Sequence, residues 1–598
     1  MEFEQIGVLK FMVNYGFVQT TEFTPAPSGG NNPWRPIGNI ANWSYNAEEK
    51  SFLLTATSST SIQIKIYILG PSSFRVRFNP NSTDYSKNLS NAVVNRNLGN
   101  TSINYAQDST GSSLTITLDE ITISVGLQPY GIAVKRGSQL VHETNYAYNL
   151  VYIPFGSEVT ACFMNVAPGA GYYGFGEKAG INLNNNFHTT TFFNYDNFQY
   201  NGSNKNDQDN YAVIPSNSQP GPLNIEEPLY NSMPVLVEWN PAPSGDFSGS
   251  AYANLIFLDN PCQTYFNIQT KDYSQYMDGK YYLGSLYNEM DYYFMTGSDI
   301  ASVLDQFNVL TGPSPMPPMY ALGYHQGGYG YYDSDRLLSM AKSYRDNHIP
   351  IDGLHIDVDF QNNYRTFTSS QEKFGNVNDL FNQLHSMGFK CSTNITGIMT
   401  IVPWDESAKT NDPKPAYPPV PYVVTALDEN GNVVQRNVID DGIAKKVFIW
   451  DEYVGGTGQP RPFLTNENYG CNEGFNPYFS PGHVTNVAGC GGNDIPLGTY
   501  GYYADLLRPE VKTWWSGNYY GLLDSGLDMI WQDMTCPAVV TSSDAVVHYK
   551  TLPGDLLMSN LDGSLVPNAK IHNGTKRTST MSKVLLKKLL VQKKSLTN

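Results

Sequence analysis

Around residue 313 the spacing of apolar residues changes period, and no single sheet or helix bundle accommodates both patterns. Upstream, from about 50 to 300, apolar and polar residues alternate as in half-buried strands. The clearest run is Ser61-Ile-Gln-Ile-Lys-Ile-Tyr-Ile-Leu69, where Ile62, Ile64, Ile66 and Ile68 share one face. Shorter runs follow at 73–79, 113–118, 121–126 and 131–135, separated by Gly, Asn, Ser and Pro. This spacing predicts a β-sandwich over 1–312. Pro313, Pro315, Pro317 and Pro318 then interrupt the pattern and mark a domain boundary.

Beyond the prolines, short apolar strands alternate with amphipathic helices. Strands are expected at 320–324, 353–359 and 389–395. A helix is expected over 334–347, with Ser334 as its cap, and another near 376–387, closed by Gly388. A Gly/Pro/Asn-rich insertion occupies roughly 398–500, too long for an ordinary connection. Pro509 then opens a helix whose Val511, Trp514, Trp515, Leu522 and Leu523 form an apolar stripe, so the two Trp read as core rather than as a sugar platform. Leu527–Gln532 is a fourth strand, ending at Asp533. Strand and helix alternating in this way mean parallel strands with crossover helices, either a (β/α)₈ barrel or an open doubly wound sheet. Both place their chemistry at the C-terminal ends of the strands.

Charge narrows the function. The chain carries 37 Lys plus Arg against 54 Asp plus Glu, a net charge of −17, which argues against binding nucleic acid. With 15% charged residues, 42 Tyr and 52 Gly, its surface must be rich in neutral polar groups and phenol rings, suited to sugars rather than ions. Cys162, Cys262, Cys391, Cys471, Cys490 and Cys536 form no C-x-x-C pair, so neither a zinc cluster nor a dithiol motif is expected. Cys471 and Cys490 could close a loop in an oxidising compartment. No stretch is apolar enough to span a membrane, and Met1-Glu-Phe-Glu-Gln5 lacks the basic start of a secretory signal, which makes an intracellular location the default.

Two of the strands end in acid: Asp357-Val-Asp359 and Trp531-Gln-Asp533. A carboxylate at the exit of a buried strand is costly unless paired or working. Helix capping, or an ion pair with Arg365, accounts for one such Asp as well as catalysis does, but less comfortably for two, one of them beside a Trp. Cleaving a glycosidic bond with retention requires a carboxylate nucleophile and a proton donor; an aromatic wall and a hydroxyl-accepting carboxylate complete the set. Asp533 as nucleophile, Trp531 as wall and Asp357 as acceptor fit that need.

At this point the chain resembles a known family. Gly171-Tyr-Tyr-Gly-Phe-Gly-Glu177, Glu227-Pro-Leu-Tyr-Asn-Ser-Met-Pro234, Gly323-Tyr-His-Gln326, Asp357-Val-Asp-Phe-Gln361 with Arg365-Thr-Phe-Thr368, and Trp531-Gln-Asp-Met-Thr535 resemble successive motifs of glycoside hydrolase family 31. The resemblance implies an N-terminal β-sandwich before a (β/α)₈ barrel. It implies that Asp533 forms a covalent glucosyl ester, that Asp357 binds a hydroxyl of the terminal glucose, and that Val358 and Trp531 line the substrate site. Within the family the likeness is closer to the α-1,4-glucan lyases of fungi and red algae. Hydrolases usually read Asp-Met-Asn-Glu at the nucleophile, whereas this chain reads Asp533-Met-Thr-Cys-Pro-Ala538, and Gln361 stands where hydrolases generally have Met. Phe193-Asn-Tyr-Asp-Asn-Phe-Gln-Tyr200 is similar to lyases as well. The resemblance implies an α-glucan or maltooligosaccharide substrate and no metal or organic cofactor. α-Glucosidase or transglucosidase chemistry, and a non-catalytic glucan-binding protein, remain the alternatives.

The end of the chain departs from that pattern. Only 65 residues follow Asp533, so the expectation is a barrel of about four strands over 313–572. No general acid is recognisable there, since Asp544, Asp555 and Asp562 follow no barrel-like strand. Residues 573–598 hold seven Lys or Arg and no acidic or aromatic residue. That switch reads as unrelated sequence from a frameshift or unspliced intron, and the alternative is a basic amphipathic helix, Val584–Val591, touching a membrane or a protein. On the first reading the chain folds poorly or lacks turnover, because a half barrel leaves edges and interior uncovered.

Overall fold

The computed structural model describes residues 35–533 and 538–539, except for 87, 89–91, 147–148, 153–159, 177–182, 193–195, 198–230, 262–263, 270–278, 286–288, 329–332, 363–364, 401–421, 449, 452–460, 463–500 and 507. The chain divides into two compact units, the first formed chiefly by the residues up to Pro313 and the second chiefly by those from Ser314.

The first unit is built from antiparallel sheets. The largest, of eight strands, runs in the order Gly171–Gly176, Ser232–Asn240, Tyr252–Leu258, Met290–Gly297, Ser73–Phe78, Gln63–Gly70, Ser51–Ala56, Ile40–Asn46. Sheets of six and five strands accompany it. The alternation read from the sequence is realised in Gln63–Gly70, where Ile64, Ile66 and Ile68 are buried in the core while Lys65 and Tyr67 are only partly covered. Phe74 and Phe294, from adjacent strands, stack there at 5.0 Å. The helix Ile300–Thr311 closes a second cluster, of Leu255, Phe257, Met295, Val303 and Leu310. It is held at its start by a capping box between Asp299 and Ser302.

The second unit contains a four-stranded parallel sheet in sequential order: His325–Gly328, Gly353–Ile356, Lys390–Thr396 and Met529–Asp533. The helices Ser334–Asp346 and Val377–Ser386 and the stretch 501–527 supply the crossovers. Side chains alternate across the sheet. Leu354, Ile356, Cys391 and Ile395 join one buried cluster with Leu337 and Ala341 of the first helix and Leu380, Phe381 and Leu384 of the second. Trp514 and Trp515 are buried in the same cluster, as the apolar stripe predicts.

Three local expectations are corrected. Residues 320–324 do not form a strand: Met319–Leu322 is a 3₁₀ turn behind Pro318, and the strand begins at His325, where it pairs in parallel with Gly353. Asp333, not Ser334, caps the first crossover helix, its Oδ1 accepting from the Arg336 N–H at 2.8 Å. The second strand stops at Ile356 rather than 359, because the Asp357 carboxylate accepts from the Val358 N–H at 2.6 Å and starts the 3₁₀ turn Val358–Phe360.

Of the insertion, the structure describes Ile398–Thr400 paired with Gly501–Tyr503, the hairpin Val423–Leu427 with Val433–Asn437, the pair Trp450–Asp451 with Arg461–Pro462, and the helix Val438–Ala444. Glu177, four of the six cysteines, Asp544, Asp555, Asp562 and all of 573–598 lie outside the described residues. Among those described, no helix is long and apolar enough to cross a membrane.

Candidate active site

The C-terminal ends of the four parallel strands bring the expected residues together. Parallel register sets Asn394 beside Trp531 and Thr396 beside Asp533, while Asp357 is one residue past Ile356, which pairs with Thr393. Asn394 therefore lies between the two carboxylates. Its Nδ2 donates to Asp357 Oδ1 at 3.1 Å and to Asp533 Oδ2 at 2.8 Å, one proton for each. Gln361, 1% exposed, braces this arrangement by donating from Nε2 to the Asn394 carbonyl at 3.1 Å.

Burial pushes the Asp357 carboxyl above its ordinary range, and the Asp533 charge adds to the rise. The hydrogen bonds from the Val358 N–H and Asn394 favour the charged form and oppose it. Val358, half-buried, thus has its N–H occupied by the neighbouring carboxylate.

Below this level a second polar row supports Trp531. His325 Nε2 lies 2.7 Å from the Tyr320 carbonyl, His325 Nδ1 lies 3.0 Å from His355 Nε2, and His355 Nδ1 meets Ser392 Oγ. Only a proton on Nε2 can satisfy the Tyr320 carbonyl. With both rings neutral, His355 then donates to His325 and Ser392 donates to His355, which completes the row. Burial, reinforced by His325, holds the His355 pKa below its ordinary value, which favours a neutral His355 ring. The His355 ring meets Trp531 edge-on, at 6.1 Å and 90°.

The structure thus places Asp357, Val358, Trp531 and Asp533 at one end of the sheet. Sequence reasoning missed Asn394, His355 and Ser392, and singled out His325 only within the motif Gly323–Gln326, without a role. The signal available was a set of polar residues, Ser392, Thr393, Asn394 and Thr396, in a strand buried from Cys391 onward.

At the opposite end of the third and fourth strands, ligand atoms of His385, Cys391 and Asp528 lie within 4.8 Å of one another. A cation fits poorly there. Lys390 Nζ already lies 2.8 Å from Asp528 Oδ1, and burial pushes the Cys391 thiol up to about 12. The cluster serves to tie the helix end at His385 to both strands.

Comparison with known proteins places this chain in a family. Residues 314–589 match the glycosyl hydrolases family 31 TIM-barrel domain, and residues 63–216 match the glycosyl hydrolase 31 N-terminal galactose mutarotase-like domain. The chain belongs to glycoside hydrolase family 31. Among the relatives of this family 31 chain is alpha-glucosidase 2 of Bacillus thermoamyloliquefaciens, 25% identical over 90% of the chain and 53% of that protein. Another is an alpha-glucosidase of Saccharolobus solfataricus, 22% identical over 52% of the chain and 33% of that protein. The α-1,4-glucan lyase of Gracilariopsis lemaneiformis shares the fold, with a TM-score of 0.65 and 19% identity over 94% of the chain and 58% of the lyase. The chain thus spans about half the length of the fullest of these matches. The family supplies the (β/α)₈ reading of the parallel sheet, which the described strands alone leave open.

Proposed function

We propose that the protein cleaves terminal α-1,4-glucosidic bonds of starch-like glucans through a glucosyl ester on Asp533, and that the ester resolves by elimination. Asp533 attacks C1 as the C1–O bond to the rest of the glucan breaks, and the departing oxygen takes up a proton. The C2–H proton then passes to the Asp533 carboxylate as the C1–O ester bond breaks and a C1=C2 double bond forms. Asp533 leaves as the free acid, no water is consumed, and the enol tautomerises to 1,5-anhydrofructose. Asp357 accepts hydroxyls of the terminal glucose, Trp531 walls its ring, and Val358 lines the site.

The observation that carries this reading is the Asn394 amide bonded to both carboxylates, which favours the charged form of Asp357 against its burial and holds the nucleophile and the hydroxyl acceptor side by side. The run Asp533-Met-Thr-Cys-Pro-Ala538 favours elimination. Hydrolysis to glucose has equal support from the α-glucosidases among the relatives, and begins with the same ester.

Product analysis on maltose and soluble starch decides between them: 1,5-anhydrofructose is expected, and glucose alone sinks the elimination. Asp533→Asn should abolish either product. If maltoheptaose binds while no product forms, the chain is a glucan-binding protein instead.

A further inference from the structure

We infer that His325, His355 and Ser392 are positioning residues, which set the angle of Trp531 and through it the hold of the site on the terminal sugar. One side chain from each of the four parallel strands takes part: His325 from the first, His355 from the second, Ser392 from the third and Trp531 from the fourth. The chain of bonds starts at the Tyr320 carbonyl, in the 3₁₀ turn Met319–Leu322, and crosses to the Ser392 hydroxyl without a break. The inward layers of a parallel barrel are ordinarily filled by bulky branched apolar residues, which fix a volume. Hydrogen bonds fix a direction as well.

Two glycines admit the rings. In the parallel register Gly353 stands opposite His325 and Gly327 opposite His355. A Cβ on Gly353 would overlap His325 Nδ1, and one on Gly327 would come within 3.2 Å of the His355 Cβ. With no side chain at either position, the imidazoles approach to 5.1 Å between centroids, their planes 34° apart. Both ring nitrogens of His355 then have partners, so the ring cannot turn without breaking two bonds. Its fixed edge is what Trp531 meets at 90°. Ser392 and Asn394 lie on the same face of the third strand, two residues apart, and Asn394 pairs with Trp531 in register. That strand thus carries both supports of the site, Asn394 for the carboxylates and Ser392 for the wall. An indole gains from a pyranose by face contact, which depends on its tilt. The wall touches the sugar before and during bond breaking alike, so the row should act on binding rather than on the chemical step. That Trp531 walls a sugar rests on the proposed function; that the row sets its angle does not.

The test uses the full chain and two readouts: kcat and KM on maltose, and the near-ultraviolet circular dichroism band of Trp531, taken as the parent spectrum less that of Trp531→Phe. His355→Leu keeps most of the volume and removes both bonds. It should raise KM about tenfold with kcat within about twofold, and flatten the band. His355→Gln, which carries a donor and an acceptor, should bring KM back to within about threefold of the parent and restore the band. An unchanged KM and band in His355→Leu, a fall in kcat at constant KM, or a Gln variant no better than the Leu variant overturns the positioning role. Should His355→Leu fail to fold, Ser392→Ala, which removes a single hydroxyl, is read in the same way, with a rise in KM of about threefold expected. If the parent neither binds nor turns over maltose, the proposed function falls, and the band, read without substrate, still decides whether the row orients Trp531.

Discussion

Asn394 donates to two carboxylates from a single nitrogen, and its bond to Asp357 favours the charged form of that group. A hydrogen bond to a charged group contributes about 1.5–3 kcal/mol. Asn394→Ala should therefore lower kcat/KM about 10- to 100-fold and, by removing a donor that favours the ionised form, move the acidic limb of the pH–rate profile to higher pH. An unmoved limb would show that Asn394 only fills space. Asp357 carries a related prediction. Burial and the Asp533 charge raise its folded pKa above the unfolded value, so the native state loses stability as pH rises through that interval. Asp357→Asn should thus unfold at a higher temperature than the parent chain at pH 7, with the difference closing below about pH 4, where the unfolded carboxyl also protonates. The two aspartates were legible in the sequence because ionisable groups at strand exits are rare. Asn394 was not, because its two bonds reach 37 and 139 residues along the chain and exist only in this parallel register.

At the scale of elements, the second to fourth parallel strands and the helices Ser334–Asp346 and Val377–Ser386 lie within a few residues of where the sequence puts them, whereas the expected strand 320–324 does not form and the helix expected from Pro509 to Leu523 breaks after Gly517. His325-Gln-Gly-Gly328 has no β-branched residue, so local propensity offers nothing. It is a strand because Gly353–Ile356 presents a ladder for it, and Gly327, opposite His355, leaves room for that ring. The apolar residues at 320–322 looked more strand-like, but Pro318 sets them turning instead. Capping is the other boundary that pattern alone misjudged. Asp333 and Ser334 are both good caps by type, and only the backbone decides, extended at Asp333 with φ −157° and helical from Ser334. Asp333→Ala should therefore cost about 1 kcal/mol of stability in denaturant unfolding, and Ser334→Ala should leave stability unchanged or raise it by a few tenths. Equal losses would return the cap to Ser334.

Among the described residues, each apolar cluster falls within one unit. One cluster, from Ile37 to Phe294, and a second under the helix Ile300–Thr311 belong to the antiparallel sheets. The cluster from Leu337 to Leu527 belongs to the parallel sheet and its helices. A two-residue repeat and a helical repeat bury their faces against different partners, which is why each cluster keeps to one kind of sheet. Independent cores should melt independently, so calorimetry of the full chain should resolve two transitions. Trp515 identifies which is which: it is 1% exposed, donates from Nε1 to the Tyr519 hydroxyl at 3.0 Å, and meets Phe367 at 4.9 Å. Trp515→Ala removes about 3–5 kcal/mol of packing and should lower one transition by roughly 6–20 °C. Phe74→Ala, within the antiparallel core, should lower the other. If either substitution shifts both transitions together, or only one transition is seen, the two units fold as a single cooperative body and the cores are coupled.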